Sequence, residues 1–81
     1  MSQWSVYIVK CNDGSLYTGI TTDLKRRLKR HNEGRACNYT KVRRPVKLIY
    51  KEILDEESLA RRKEIKIKKL SRANKLKLIY M

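Results

Sequence analysis

Strand-like and helix-like patterns alternate along this chain. From Trp4 to Cys11 the sequence WSVYIVKC is dense in β-branched and aromatic residues with no breaker, which predicts a strand. Asn12-Asp13-Gly14 reads as a turn, and Ser15 to Thr21 returns as the second strand of a hairpin. Loop length decides the faces, because strand side chains alternate. A two-residue Asp13-Gly14 loop pairs Tyr7 with Ile20 and separates Tyr7 from Tyr17. A three-residue loop with Gly14 left-handed pairs Tyr7 with Gly19 and Val9 with Tyr17. The second register gathers Trp4, Val6, Ile8, Leu16 and Ile20 on one face and both tyrosines on the other, so it is the one expected.

A helix follows. Thr22 is the expected N-cap, Asp23 places a negative charge in the first turn, and Gly34 supplies the stop. Leu24, Arg27, Leu28 and His31 share one face of it, while Lys25, Arg26, Lys29 and Arg30 look outward. An inward face that carries an arginine and the chain's single histidine is unusual for so small a protein. Arg35 to Arg44 has no apolar period and reads as a loop. Its basic residues surround Tyr39, which suits phosphate contact plus base stacking; a solvated connector with Tyr39 against the core fits equally. Pro45 opens a third strand, Val46 to Leu54, in which Val46, Leu48 and Tyr50 alternate with Lys47, Ile49 and Lys51. Asp55 to Ser58 starts a second helix with the stripe Leu59, Ala60, Ile67 and Leu70, and Glu64 sits at the edge of that stripe. Ser71 begins a last short helix. The order ββαβαα over 1–81 predicts one α+β domain, a three-stranded antiparallel sheet flanked by about three helices.

Charge narrows the partner. Twenty-one basic residues against eight acidic ones give a net charge of +13, spread along the chain rather than held in a tail. A polyanion is the natural partner, and nucleic acid the commonest. Cys11 and Cys37 lack CxxC spacing, which argues against structural zinc. No apolar run is long enough to span a bilayer and no signal peptide is visible. A cytoplasmic protein with reduced thiols is expected.

Phosphodiester hydrolysis needs a group that orients or activates water, a cation for the developing charge and an acidic ligand for a divalent metal. Tyr7 and Tyr17, Arg27 and Glu64 supply these types, with His31 as a further proton-transfer candidate. The chain also resembles the GIY-YIG nuclease superfamily, and more narrowly its small stand-alone bacterial members. The likeness rests on Ser5-Val6-Tyr7, ten residues before Tyr17-Thr18-Gly19, on DLKRRLKRH with Arg27, on YTKVRRPVKLIY, and on Glu64 within EIKIKKL. Two departures stand out: Ser5-Val6 replaces Gly-Ile, and Thr18 replaces Ile. The resemblance implies that Tyr7 and Tyr17 orient or activate water, Arg27 holds the scissile phosphate, Glu64 binds Mg²⁺ or Mn²⁺, and His31 assists proton transfer. Lys25, Arg26, Arg30, Arg35, Tyr39, Lys41, Arg43 and Arg44 are the candidate nucleic-acid contacts. The expected activity is a metal-dependent endonuclease on DNA, with branched, nicked or damaged forms as candidate substrates. The alternative is a nucleic-acid-binding module with the same fold and little or no cleavage. Family nucleases usually carry a second, target-selecting domain; 81 residues leave no room for one, so a partner protein supplies targeting or specificity is low.

Overall fold

The computed structural model describes residues 3–80. Strands β1 (Trp4–Lys10), β2 (Leu16–Thr21) and β3 (Lys47–Leu54) form an antiparallel sheet in the order β2-β1-β3. Helices α1 (Leu24–Glu33), α2 (Asn38–Lys41), α3 (Glu57–Lys68) and α4 (Arg72–Tyr80) complete an α+β fold with the expected order, to which α2 adds a single turn.

The hairpin takes the three-residue loop. Tyr7 pairs with Gly19 and Val9 with Tyr17, and Gly14 is left-handed at φ 86°, a conformation that costs glycine little. Asp13 holds the turn by accepting from the Ser15 amide at 3.0 Å and the Ser15 hydroxyl at 2.6 Å. Both tyrosines therefore lie on one face.

Because β1 is central and helices cover both faces, Val6, Tyr7, Ile8 and Val9 are all fully buried. Two cores result. On one face, Val6 and Ile8 pack with Ala60 and Ile67 of α3 and with Leu78 and Ile79 of α4. On the other, Tyr7, Val9, Cys11 and Val46 pack with Tyr17, Leu24, Leu28 and Leu48. A central strand covered twice needs a continuous apolar run, which WSVYIVKC provides.

Four local expectations are corrected. Asp23, not Thr22, caps α1, its carboxylate accepting from the Arg26 amide at 3.1 Å. The Arg35–Arg44 stretch is not wholly loop, since α2 forms inside it. The register of β3 on β1 shifts between Ile8 and Val9. That irregularity breaks the alternation, placing Ile49 with Tyr50 in the α3/α4 core and Leu48 with Val46 in the other. Leu59 stands exposed, so the stripe of α3 narrows to Ala60 and Ile67. The entry to β3 is fixed by Asn32 of α1. Its side chain accepts from the Val46 amide at 2.7 Å and donates to the Val46 carbonyl at 3.2 Å, as a neighbouring strand would.

Candidate active site

The α1/α2 face of the sheet carries a buried polar cluster. Tyr7 rises from the centre of β1 and its hydroxyl meets His31 Nε2 at 2.8 Å. His31 is buried on the inward face of α1, and its other nitrogen, Nδ1, lies 2.8 Å from the Thr40 hydroxyl on α2. Thr40 in turn lies 3.3 Å from Cys37 Sγ. Gly19 makes the arrangement possible: a Cβ there would fall 2.5 Å from the Tyr7 hydroxyl oxygen. Tyr17 packs edge-on against His31, with ring centroids 5.5 Å apart, and stacks on Tyr39 at 5.8 Å. The Arg43 guanidinium lies over the Tyr39 ring at 4.0 Å and is held there by Asp13 at 3.1 Å and the Tyr39 carbonyl at 2.8 Å.

The electrostatics follow from burial. Removal from water pushes the Tyr7 hydroxyl above its usual range; the hydrogen bond and charge of Arg27 oppose the rise, and Cys37 and Glu64 add to it. Burial also pushes Tyr17 well up, helped by Cys37, by Tyr7 and by the charge of Glu64. His31 is held below its ordinary value by burial first and by the Arg27 charge second, so its imidazole is neutral at pH 7. Burial alone would raise the Cys37 thiol, but hydrogen bonds from Thr40, Tyr17 and the Tyr39 backbone carry it below its usual value. Glu64 lies on α3, which packs on the far face of the sheet, and its charge adds a minor contribution to the rise at both tyrosines. Its carboxylate is largely covered and pairs with Lys68 Nζ at 3.4 Å.

Arg27 connects this cluster to the surface. It also lines a cavity of about 400 Å³ with Arg26, Arg30 and Arg35, closed by Thr21, Thr22, Asp23 and Ala36. Lys25 is exposed and outside that lining. Lys41 and Arg44 border a separate depression with Asn32, Val42 and Pro45. The expected basic contacts thus divide into an arginine cavity beside the tyrosines and a second basic edge near α2. Tyr39 is neither a free stacking platform nor a core residue. The residue is 37% exposed, yet its ring is already engaged by Tyr17 and Arg43.

Residues 3–77 match the family model of the GIY-YIG catalytic domain, a span that holds every residue of the cluster. The chain belongs to the GIY-YIG family. UPF0213 proteins of Staphylococcus saprophyticus and Staphylococcus haemolyticus are each 52% identical to it over 79 residues, 98% of this chain and 96% of theirs. The solution NMR structure of a UPF0213 protein from Bacillus halodurans superposes with a TM-score of 0.63 at 42% identity, covering 95% of this chain and 82% of that one. A second NMR structure, of a protein from E. faecalis, gives 0.64 at 38% identity over 93% and 80%. Membership of the GIY-YIG family carries a nuclease-like character, a nucleic-acid substrate and a divalent metal at a coarse level.

No group of three or more His, Cys, Asp or Glu side chains among the described residues is placed to hold a metal. A Mg²⁺-like ion binds through one or two carboxylates and completes its shell with water and substrate phosphate, a chemistry that a single carboxylate such as that of Glu64 suits. No helix among the described residues is long and apolar enough to cross a membrane. Sequence reasoning missed Asn32, Cys37 and Thr40. Each acts through a contact that helix or strand periodicity does not encode.

Proposed function

We propose that this GIY-YIG protein is a divalent-metal-dependent endonuclease that hydrolyses phosphodiester bonds in DNA. The observation that carries the reading is the convergence of Tyr7, Tyr17 and His31 on one sheet face, with Arg27 of the same helix as His31 lining the arginine cavity. Arg27 holds the scissile phosphate and steadies charge as it builds on the phosphoryl oxygens. Burial raises the pKa of both hydroxyls, so neither tyrosine is a standing phenolate at neutral pH. Tyr7 therefore accepts a proton from water only as it hands its own to His31 Nε2, a nitrogen that is neutral and 2.8 Å away. Tyr17, the less buried of the two, orients the attacking water. Glu64 holds Mg²⁺ or Mn²⁺, which when bound supplies positive charge to the phosphate and leaving oxygen. Arg26, Arg30 and Arg35 take neighbouring phosphates, while Lys25, Lys41 and Arg44 extend the track, and Arg43 with Tyr39 forms its rim.

A binding module without cleavage is the second reading. It is favoured by the full burial of Tyr7 and by the Lys68 ammonium already seated on Glu64. The two separate on one assay, in which purified protein is incubated with plasmid, nicked and branched DNA in Mg²⁺, in Mn²⁺ and in excess chelator. Metal-dependent cleavage of any of these supports the nuclease. DNA binding with intact product in every metal supports the module.

A further inference from the structure

The cluster is a chain of hydrogen bonds, and such a chain has a direction. Arg27, whose charge acts on Tyr7, can only donate. Tyr7 is fully buried, and within hydrogen-bond reach of its hydroxyl the one acceptor is His31 Nε2. The reverse arrangement, with a proton on Nε2 pointing at Tyr7, would leave the phenolic proton buried without an acceptor, which is costly. At the far end, Cys37 Sγ lies 3.3 Å from the Thr40 hydroxyl. Sulfur is a weak donor, so beside a hydroxyl it is better used as the acceptor. Both ends therefore demand the same sense: Tyr7 O–H to His31 Nε2, His31 Nδ1–H to Thr40 Oγ1, and Thr40 Oγ1–H to Cys37 Sγ.

We propose that Thr40, backed by Cys37, is a positioning residue that fixes His31 in the Nδ1–H tautomer and so keeps the Nε2 lone pair aimed at Tyr7. This deepens the nuclease reading and rests on it for its catalytic consequence, but the tautomer itself does not depend on activity. Which ring nitrogen of a histidine carries the proton is set by the bond the other nitrogen makes. Here that bond is a 2.8 Å contact to a hydroxyl that is itself fully buried, so water cannot substitute for it without a rearrangement of α2. The proton Tyr7 releases during water activation then has a prepared acceptor. Without Thr40, Nδ1–H has no partner and the histidine is free to turn its other face, or its other tautomer, toward Tyr7. The threonine touches neither substrate nor metal in this scheme; it acts only through the imidazole.

Because His31 is the chain's single histidine, its two nitrogens are read without ambiguity by long-range ¹⁵N–¹H NMR on the uniformly labelled native protein. The expected spectrum at pH 7.5 shows a protonated Nδ1 and an unprotonated Nε2. Thr40→Val keeps the shape and removes the hydroxyl; it is expected to lose the pure Nδ1–H pattern, and Thr40→Ser to restore it. In cleavage assays the valine variant should fall about 10²-fold or more in rate, as for loss of assisted proton transfer, with the serine variant close to wild type. A protonated Nε2 in the wild-type protein overturns the proposal, as does an unchanged tautomer in Thr40→Val. The wild-type spectrum decides the point even where the valine variant fails to fold. A wild-type protein with the Nδ1–H pattern and no cleavage of any DNA would refute the nuclease reading while leaving the tautomer assignment standing.

Discussion

Thr18 and His31 are both buried polar residues, and the fold treats them differently. His31 has a partner on each nitrogen, whereas the Thr18 hydroxyl is buried without one. Thr18 sits where the family pattern places isoleucine, in a position that faces Ile8 across the hairpin and the packed side of α3. Replacing its hydroxyl with a methyl removes an unsatisfied polar group, so Thr18→Val should stabilise the protein by about 1–3 kcal/mol. Thermal unfolding checks this, and a lower melting temperature would mean the hydroxyl has a use. His31 makes stability depend on pH. Its folded-state pKa is depressed by burial and by Arg27, so between about 6.5 and that lower value the unfolded chain binds a proton that the folded chain resists. The His31 contribution to stability should therefore be constant above pH 7 and fall as pH drops below about 6.5, by at most about 1.4 kcal/mol per pH unit. Denaturant unfolding of the wild type and His31→Gln at pH 7.5 and 5.5 tests the point. The difference between the two proteins should shrink at the lower pH, and a constant difference would contradict it.

At the scale of elements, the hairpin joins sequence to site. Its register was legible because only one loop length collects the aliphatic residues on one face, and that same register lays Gly19 across Tyr7. Gly19→Ala would press a methyl group 2.5 Å from a hydroxyl oxygen already held by His31. Overpacking of this kind typically costs about 1–3 kcal/mol. The variant should melt lower and show a displaced His31 resonance, and a melting temperature equal to wild type would argue against the tight Tyr7–Gly19 packing. Other elements were not legible, for separate reasons. The single turn of α2 is too short to show a period; what ties it down is Thr40 against His31, a contact between distant segments. The irregularity in β3 is invisible in a run where Leu48, Ile49 and Tyr50 are all apolar, so local alternation has no unique phase. Thr22 and Asp23 are both good caps, and only the path from β2 into α1 selects the aspartate. The catalytic-type residues were readable one by one from order and spacing. Their connection through Thr40 and Cys37 was not.

For the whole molecule, charge and topology work together. The sheet carries its aliphatic core on the α3/α4 face, leaving the α1/α2 face for the tyrosines and the arginine cavity. With a net charge of +13, nucleic-acid binding should weaken steeply with salt. Engagement of Arg26, Arg27, Arg30 and Arg35 alone would give a slope of log K against log salt of about −3.6 on duplex DNA, near −0.9 per phosphate contact. Arg26→Ala should reduce that slope by about 0.9 without changing the fold, as followed by fluorescence anisotropy at several salt concentrations. A slope near zero would remove nucleic acid as the partner. The central claim concerns Glu64, a largely covered carboxylate on α3. Glu64→Gln keeps the size of the side chain and removes the charge a hard divalent cation requires. If Glu64 serves only as a partner of Lys68, the exchange should shift stability by less than about 1 kcal/mol and leave activity alone. The direct measurement is therefore the DNA-cleavage rate of Glu64→Gln in Mg²⁺ or Mn²⁺, taken beside its melting temperature. A rate about 10²-fold or more below wild type at an unchanged melting temperature is the predicted result; full cleavage by the variant would contradict the account.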